Sequence, residues 1–140
     1  MFSLPRTLLV CMLFGLAHCA QADTVVVTGK TSLVMTLDRQ DVERLYLGRT
    51  AVLPDGTPVT LADLPPGNVR DGFYLALTGK NPVQIRTYWS RIVFTGRALP
   101  PKEAESPAQL RRWLASNPNL IGYLSDTDVD ESVRVLLRIR

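Results

Sequence analysis

The chain has 140 residues, 46% hydrophobic and 21% charged, a length that supports one domain with its own core. Sixteen basic and thirteen acidic residues leave a net charge of +3, too even a balance for the concentrated basic face of a nucleic-acid binder. Its one histidine, His18, and its two cysteines, Cys11 and Cys19, all fall within the first 22 residues.

Those residues read as a secretory signal peptide. Arg6 supplies the positive charge, "TLLVCMLFGLA" the short apolar run and Ala20-Gln21-Ala22 the small-x-small signal for cleavage before Asp23. The run falls short of the roughly 20 apolar residues a membrane span needs, and no later segment qualifies, so no stable membrane insertion is expected after cleavage. A competing reading puts a lipid on Cys19, although His18 stands where such signals carry a small residue. Cleavage would leave residues 23–140 as one domain with a net charge of +2 and neither cysteine nor histidine. That composition excludes disulfides, thiol catalysis, a Ser-His dyad and imidazole or thiolate metal sites.

"TVVVTG" at 24–29 is a β-branched run closed by glycine and predicts a buried strand. Asp38 and Asp41 mark a helix start that Leu37 staples onto Val42; Val42, Leu45 and Tyr46 share its inner face and Gly48 ends it. "LPDGTPVTLADLPPG" predicts turns around an extended piece at 59–62. Asn68 then caps a helix whose face is Phe73, Tyr74 and Leu77 and whose stop is Gly79. Asn81-Pro82-Val83-Gln84 opens the next helix, with Ile85, Tyr88, Trp89, Ile92 and Val93 at core spacing and Gly96 as its end.

A polar connection, "GRALPPKEAE", leads to Ser106-Pro107-Ala108-Gln109, which starts a helix carrying Leu110, Trp113 and Leu114 inward until Asn117-Pro118. "LIGYL" at 120–124 predicts a buried strand with a close approach at Gly122 by some other group, such as another backbone. In "VRVLLRI" at 133–139 the pattern places Val133, Val135, Leu137 and Ile139 on one face and Arg134 and Arg138 on the other. Four strands and four helices in mixed order predict an α/β fold with a small, partly parallel sheet, which places ligands at strand carboxyl ends.

Three stretches carry a resemblance: "LYLGRTAVLPDGTPVTLADLP", "FYLALTGKNPVQIRTYWSRIVFTGRALPPK" and "LASNPNLIGYLS". Together they resemble the phosphate-type substrate-binding proteins of ABC transporters, in a short single-lobe branch of that periplasmic binding family. The resemblance implies a single lobe of a type 2 periplasmic-binding-protein-like fold, a small mixed sheet flanked by helices, in the periplasm. It also implies descent from receptors that enclose an oxyanion between two such lobes. A Ser-Gly-Thr signature of that family, whose hydroxyls and backbone N–H groups grip phosphate, falls here on Gly67, Asn68 and Val69, without the hydroxyls.

The sequence thus offers Asn68, Val69 and Arg70 as candidate oxyanion ligands at a helix N-terminus, where free N–H groups and the helix dipole favour an anion. Arg70 suits bidentate contact, Asp71 in the same turn opposes it, and the plain reading is that Asn68 and Asp71 only cap a helix. Thr28 and Lys30, just past the first strand, are a second ligand loop or a solvated turn. Asp126, Asp128 and Asp130 suggest calcium but lack the glycine and glutamate of an EF-hand loop, so neither metal nor cofactor is expected. Two functions remain. The first is capture of a small oxyanion such as phosphate, with a homodimer or a transporter partner covering the site. The alternative is a ligand-free remnant that docks an envelope protein through residues such as Leu53, Leu61, Leu64 and Leu99. With no histidine to act as general base, catalysis is not expected.

Overall fold

The computed structural model describes residues 23–140; the predicted signal peptide, Cys19 included, lies outside them. Five strands form one mixed sheet: β1 (Thr24–Gly29), β2 (Thr60–Asp63), β3 (Lys102–Glu103), β4 (Leu120–Ser125) and β5 (Val133–Ile139), in the order β3-β2-β4-β1-β5. Strands β3, β2 and β4 run parallel to one another, whereas β1 runs antiparallel to both β4 and β5. Four α-helices accompany them among the described residues: α1 (Arg39–Tyr46), α2 (Asn68–Thr78), α3 (Pro82–Phe94) and α4 (Pro107–Ser116).

Successive residues of a strand point to opposite faces, and β4 shows what each face carries. Gly122 meets the Leu110 side chain of α4, while Tyr123 stacks on Phe73 of α2 with ring centroids 3.8 Å apart. Helix α4 therefore covers one face of the sheet and α2 the other, with α1 and α3 packed against α2. Tyr46, Phe73, Tyr74 and Tyr123 form a buried aromatic cluster of edge-to-face and stacked contacts.

Three of the helices start as their sequences predict. Asp38 accepts from the Asp41 N–H at 2.8 Å, Asn81 and Gln84 complete a reciprocal capping box, and Ser106 accepts from the Gln109 N–H at 3.1 Å. Gly48 and Gly79 adopt left-handed φ values of 67° and 72° at the ends of α1 and α2.

Several details differ from the sequence pattern. The connection at 97–106 contains the two-residue edge strand β3, which pairs with β2. The alternation expected in β5 breaks at a bulge opposite Val26 and Val27, so Leu136 is buried and Val135 is exposed. On α3 the buried residues are Ile85, Trp89 and Ile92, while Val93 and Phe94 face outward. At Gly122 the close neighbour is a side chain; the backbone approach falls at Gly29, where an added Cβ would sit 2.1 Å from the Leu114 carbonyl oxygen. Leu53 and Leu64 belong to the core, Leu61 is half-buried and Leu99 is exposed.

Candidate functional site

The carboxyl ends of β2 and β4 and the start of α2 meet at one end of the sheet. From β2 the chain passes through Leu64-Pro65-Pro66 to Gly67, which is the N-cap of α2 in an extended conformation. Asn68 is the first helical residue, not the cap, and no side chain caps this helix. The difference arises because Gly67, one residue earlier, already makes the turn, and glycine has no side-chain oxygen with which to cap the first-turn N–H groups.

Beside this N-terminus lies an open cleft of about 400 Å³, lined by Asn68, Val69 and Gly72 of α2, Ser125 at the end of β4, and Arg140. The Ser125 hydroxyl lies 3.0 Å from that of Thr127. Arg140 reaches Asp23 at 3.5 Å and leaves 79% of its side chain exposed. Backbone N–H groups, a hydroxyl and a guanidinium bordering one cleft are donors suited to an oxyanion; Asp23 opposes them.

Arg70 is turned away from this cleft. Its guanidinium donates to Glu103 at 3.0 Å and to the Leu64 carbonyl at 3.2 Å, and it lies 3.6 Å from the buried Asp63 carboxylate. Asp63 also accepts hydrogen bonds from the hydroxyls of Tyr74, at 2.7 Å, and Tyr123, and from the Leu64 N–H at 2.9 Å. The end of β2 thus carries an internal anion surrounded by the donors and the cation that could otherwise serve a ligand. Burial pushes the Asp63 carboxyl above the usual range, and the Tyr123 hydroxyl, Arg70, Tyr74 and Leu64 N–H pull it part of the way back. Burial, with the Asp63 charge beside them, also drives the Tyr74 and Tyr123 hydroxyls far above their ordinary value.

Thr28 and Lys30 do not join Asn68, Val69 and Arg70. The Thr28 hydroxyl is fully buried and donates to the Leu120 carbonyl at 2.9 Å. Register pairs both Thr28 and Leu61 with Ile121, so Thr28 stands level with the start of β2. Because β1 is antiparallel, its carboxyl end leads Lys30 to the opposite end of the sheet. Asp126 and Asp130, in turn, are held by Arg138 at 3.4 Å and Arg111 at 3.2 Å.

Sequence reasoning missed Ser125 and Arg140. Ser125 was accessible in principle, as the polar residue that ends a buried strand on the ligand-bearing side. Arg140 had no local signal, since only the pairing of β5 with β1 brings it beside α2.

No protein-family model and no curated protein sequence matches the chain. Among solved structures it is similar to a putative phosphate ABC transporter substrate-binding protein with bound phosphate from Clostridium perfringens, at 18% identity and TM-score 0.63, covering 82% of this chain and 44% of that one. An ABC-type phosphate transport receptor from Vibrio cholerae aligns at 16% identity and TM-score 0.53, covering 82% and 45%. A possible phosphate binding protein from Planctomyces limnophilus aligns at 8% identity and TM-score 0.59, covering 82% and 40%. The chain therefore has the fold of one lobe of a type 2 periplasmic-binding-protein-like structure. It spans less than half the length of these three proteins, which are described as transport or binding proteins and not as enzymes.

Proposed function

We propose that the chain is a solute-binding protein of phosphate-receptor type, a single lobe exported to the periplasm by residues 1–22, which holds a small oxyanion such as phosphate without catalysing a reaction. The observation that carries this reading is the uncapped N-terminus of α2, opening on a cleft at the carboxyl ends of β2 and β4. Asn68 and Val69 supply main-chain N–H groups, Ser125 a hydroxyl and Arg140 an exposed cation. Arg70 and Asp63 hold the loop that presents them, which is a positioning role.

An open cleft leaves the anion partly hydrated and weakens every charge contact, so the affinity of the isolated lobe is low. Cover supplied by a second copy or by a transporter or envelope partner would exclude that water. Phosphate, sulfate and chloride at matched ionic strength are to be compared by thermal unfolding. A ligand at about 100 times its dissociation constant adds roughly 2.7 kcal/mol. The expected result is a rise with phosphate that shrinks in Arg140→Ala and Ser125→Ala. Equal shifts with all three salts, or a phosphate response untouched by both substitutions, would refute the site.

A further inference from the structure

A second cleft lies at the other end of the sheet, where β2 and β4 begin. There the end of α1, the connection at 97–102 and α4 enclose a groove of about 810 Å³, within the size range of small-molecule sites. Half-buried Leu61 and Trp113 and the 86% exposed Leu99 supply its accessible apolar wall, backed by the buried Leu45, Val59 and Leu120. Arg49, Arg97 and Lys102 also line it, and among the described residues no carboxylate does.

Strand alternation at β3 separates the two charges of that strand. Glu103 goes to Arg70, whereas the Lys102 ammonium rests 4.3 Å from the ring centroid of Trp113, a residue of the groove. Among the described residues, Arg49, Arg97 and Lys102 form no ion pair. Trp113, expected inward on α4, is half-buried and presents its ring to this surface.

Charge and apolarity together narrow the occupant. A neutral apolar molecule would bury the wall but desolvate three cations without compensation. An inorganic anion would pair the cations and leave the wall wet, and a cationic amphiphile would be repelled. We propose that this groove binds an amphipathic anion, a carboxylate with an apolar chain or ring, its head on Arg97, Lys102 and Arg49 and its body along Leu61, Leu99 and Trp113. This site stands apart from the α2 cleft and does not depend on oxyanion binding there.

The test is a titration of the protein with decanoate below its micellar concentration, following tryptophan emission, with Trp113→Phe to assign the signal. Decyltrimethylammonium and inorganic phosphate are the comparison ligands. Decanoate should saturate the signal, and the charge-reversed pair Arg97→Glu with Lys102→Glu should bind it about ten-fold more weakly, equivalent to roughly 1.4 kcal/mol. Leu99→Ser should also weaken it. All three positions are exposed, so circular dichroism of the variants should match the unaltered protein. Equal binding of decyltrimethylammonium, absence of saturable decanoate binding, or decanoate affinity unchanged by charge reversal would each overturn the proposal.

Discussion

Gly67→Asp puts a carboxylate at a helix N-terminus that has no side-chain cap. With φ 162° and ψ −176°, Gly67 is extended, and an added Cβ would find only the Pro65 carbonyl oxygen, 4.0 Å away. No strain therefore offsets the gain. Loss of glycine freedom in the unfolded chain contributes about 0.4–1 kcal/mol, and a negative charge beside the helix N-terminus about 0.3–1 kcal/mol. Together they raise stability by roughly 1–2 kcal/mol, or about 3–10 °C in Tm for a domain of this size. The same carboxylate occupies the N–H groups assigned to the anion, so the phosphate response should vanish while the protein becomes more stable. Thermal melts with and without phosphate at matched ionic strength measure both effects. Gly67→Ala is the control, retaining the anion response with only the entropic gain. A Gly67→Asp protein that still responds to phosphate as before would show that the anion is not held at this N-terminus.

Burial raises the Asp63 carboxyl in the folded state, so stability present below the unfolded value near 3.8 is lost as pH rises through the folded value. Denaturant titrations should therefore show Asp63→Asn gaining on the unaltered protein as pH climbs from about 4, then levelling; a pH-independent difference would contradict this. Tyr46, Tyr74 and Tyr123, all raised by burial, ionise only on unfolding, so stability should fall above about pH 10 by roughly 1.4 kcal/mol per tyrosine per pH unit. Tyrosinate absorbance is the readout, and ionisation of all four tyrosines without unfolding would refute it. Arg70→Ala leaves Asp63 without its cation and should cost about 2–3 kcal/mol in urea unfolding, partly recovered when Asp63→Asn is added. Full additivity of the two changes would disprove the coupling. Gly29→Ala drives a methyl into the Leu114 carbonyl and should cost about 3 kcal/mol or more, against about 1 kcal/mol for Gly122→Ala, where the Leu110 side chain can move. Equal costs would contradict that distinction.

Local chemistry made most elements legible. Asp38, Asn81 and Ser106 state where helices begin because each offers an oxygen within reach of the first-turn N–H groups, and they do so in the structure. The cap of α2 lies one residue before the position its sequence predicts: Asn68 carries the stronger capping side chain, yet the turn is made at Gly67. Strand β3 left no pattern to read: two exposed polar residues have no hydrophobic period, and only pairing with β2 makes them a strand. The site was less legible than the fold, for a geometric reason. A β-branched run shows that residues 24–29 are a strand but does not show its direction, and the antiparallel course of β1 sends Thr28 and Lys30 away from Asn68. Arg70 likewise looks available in sequence, because Asp63 and Glu103 reach it only through tertiary packing.

The position of β1 between β4 and β5 also bears on how this chain reaches its native state. Its register pairs Thr24 with Ser125 on one side and with Ile139 on the other, so a strand made early waits for the two made last. Closure over about 100 residues raises the contact order and slows folding relative to a chain whose neighbours in the sheet are neighbours in sequence. Until then Val25, Val26 and Val27 form a sticky β segment with both edges open, a target for association between unfinished chains. Refolding yield should accordingly fall with rising protein concentration, and a holding chaperone that shields this segment would restore it.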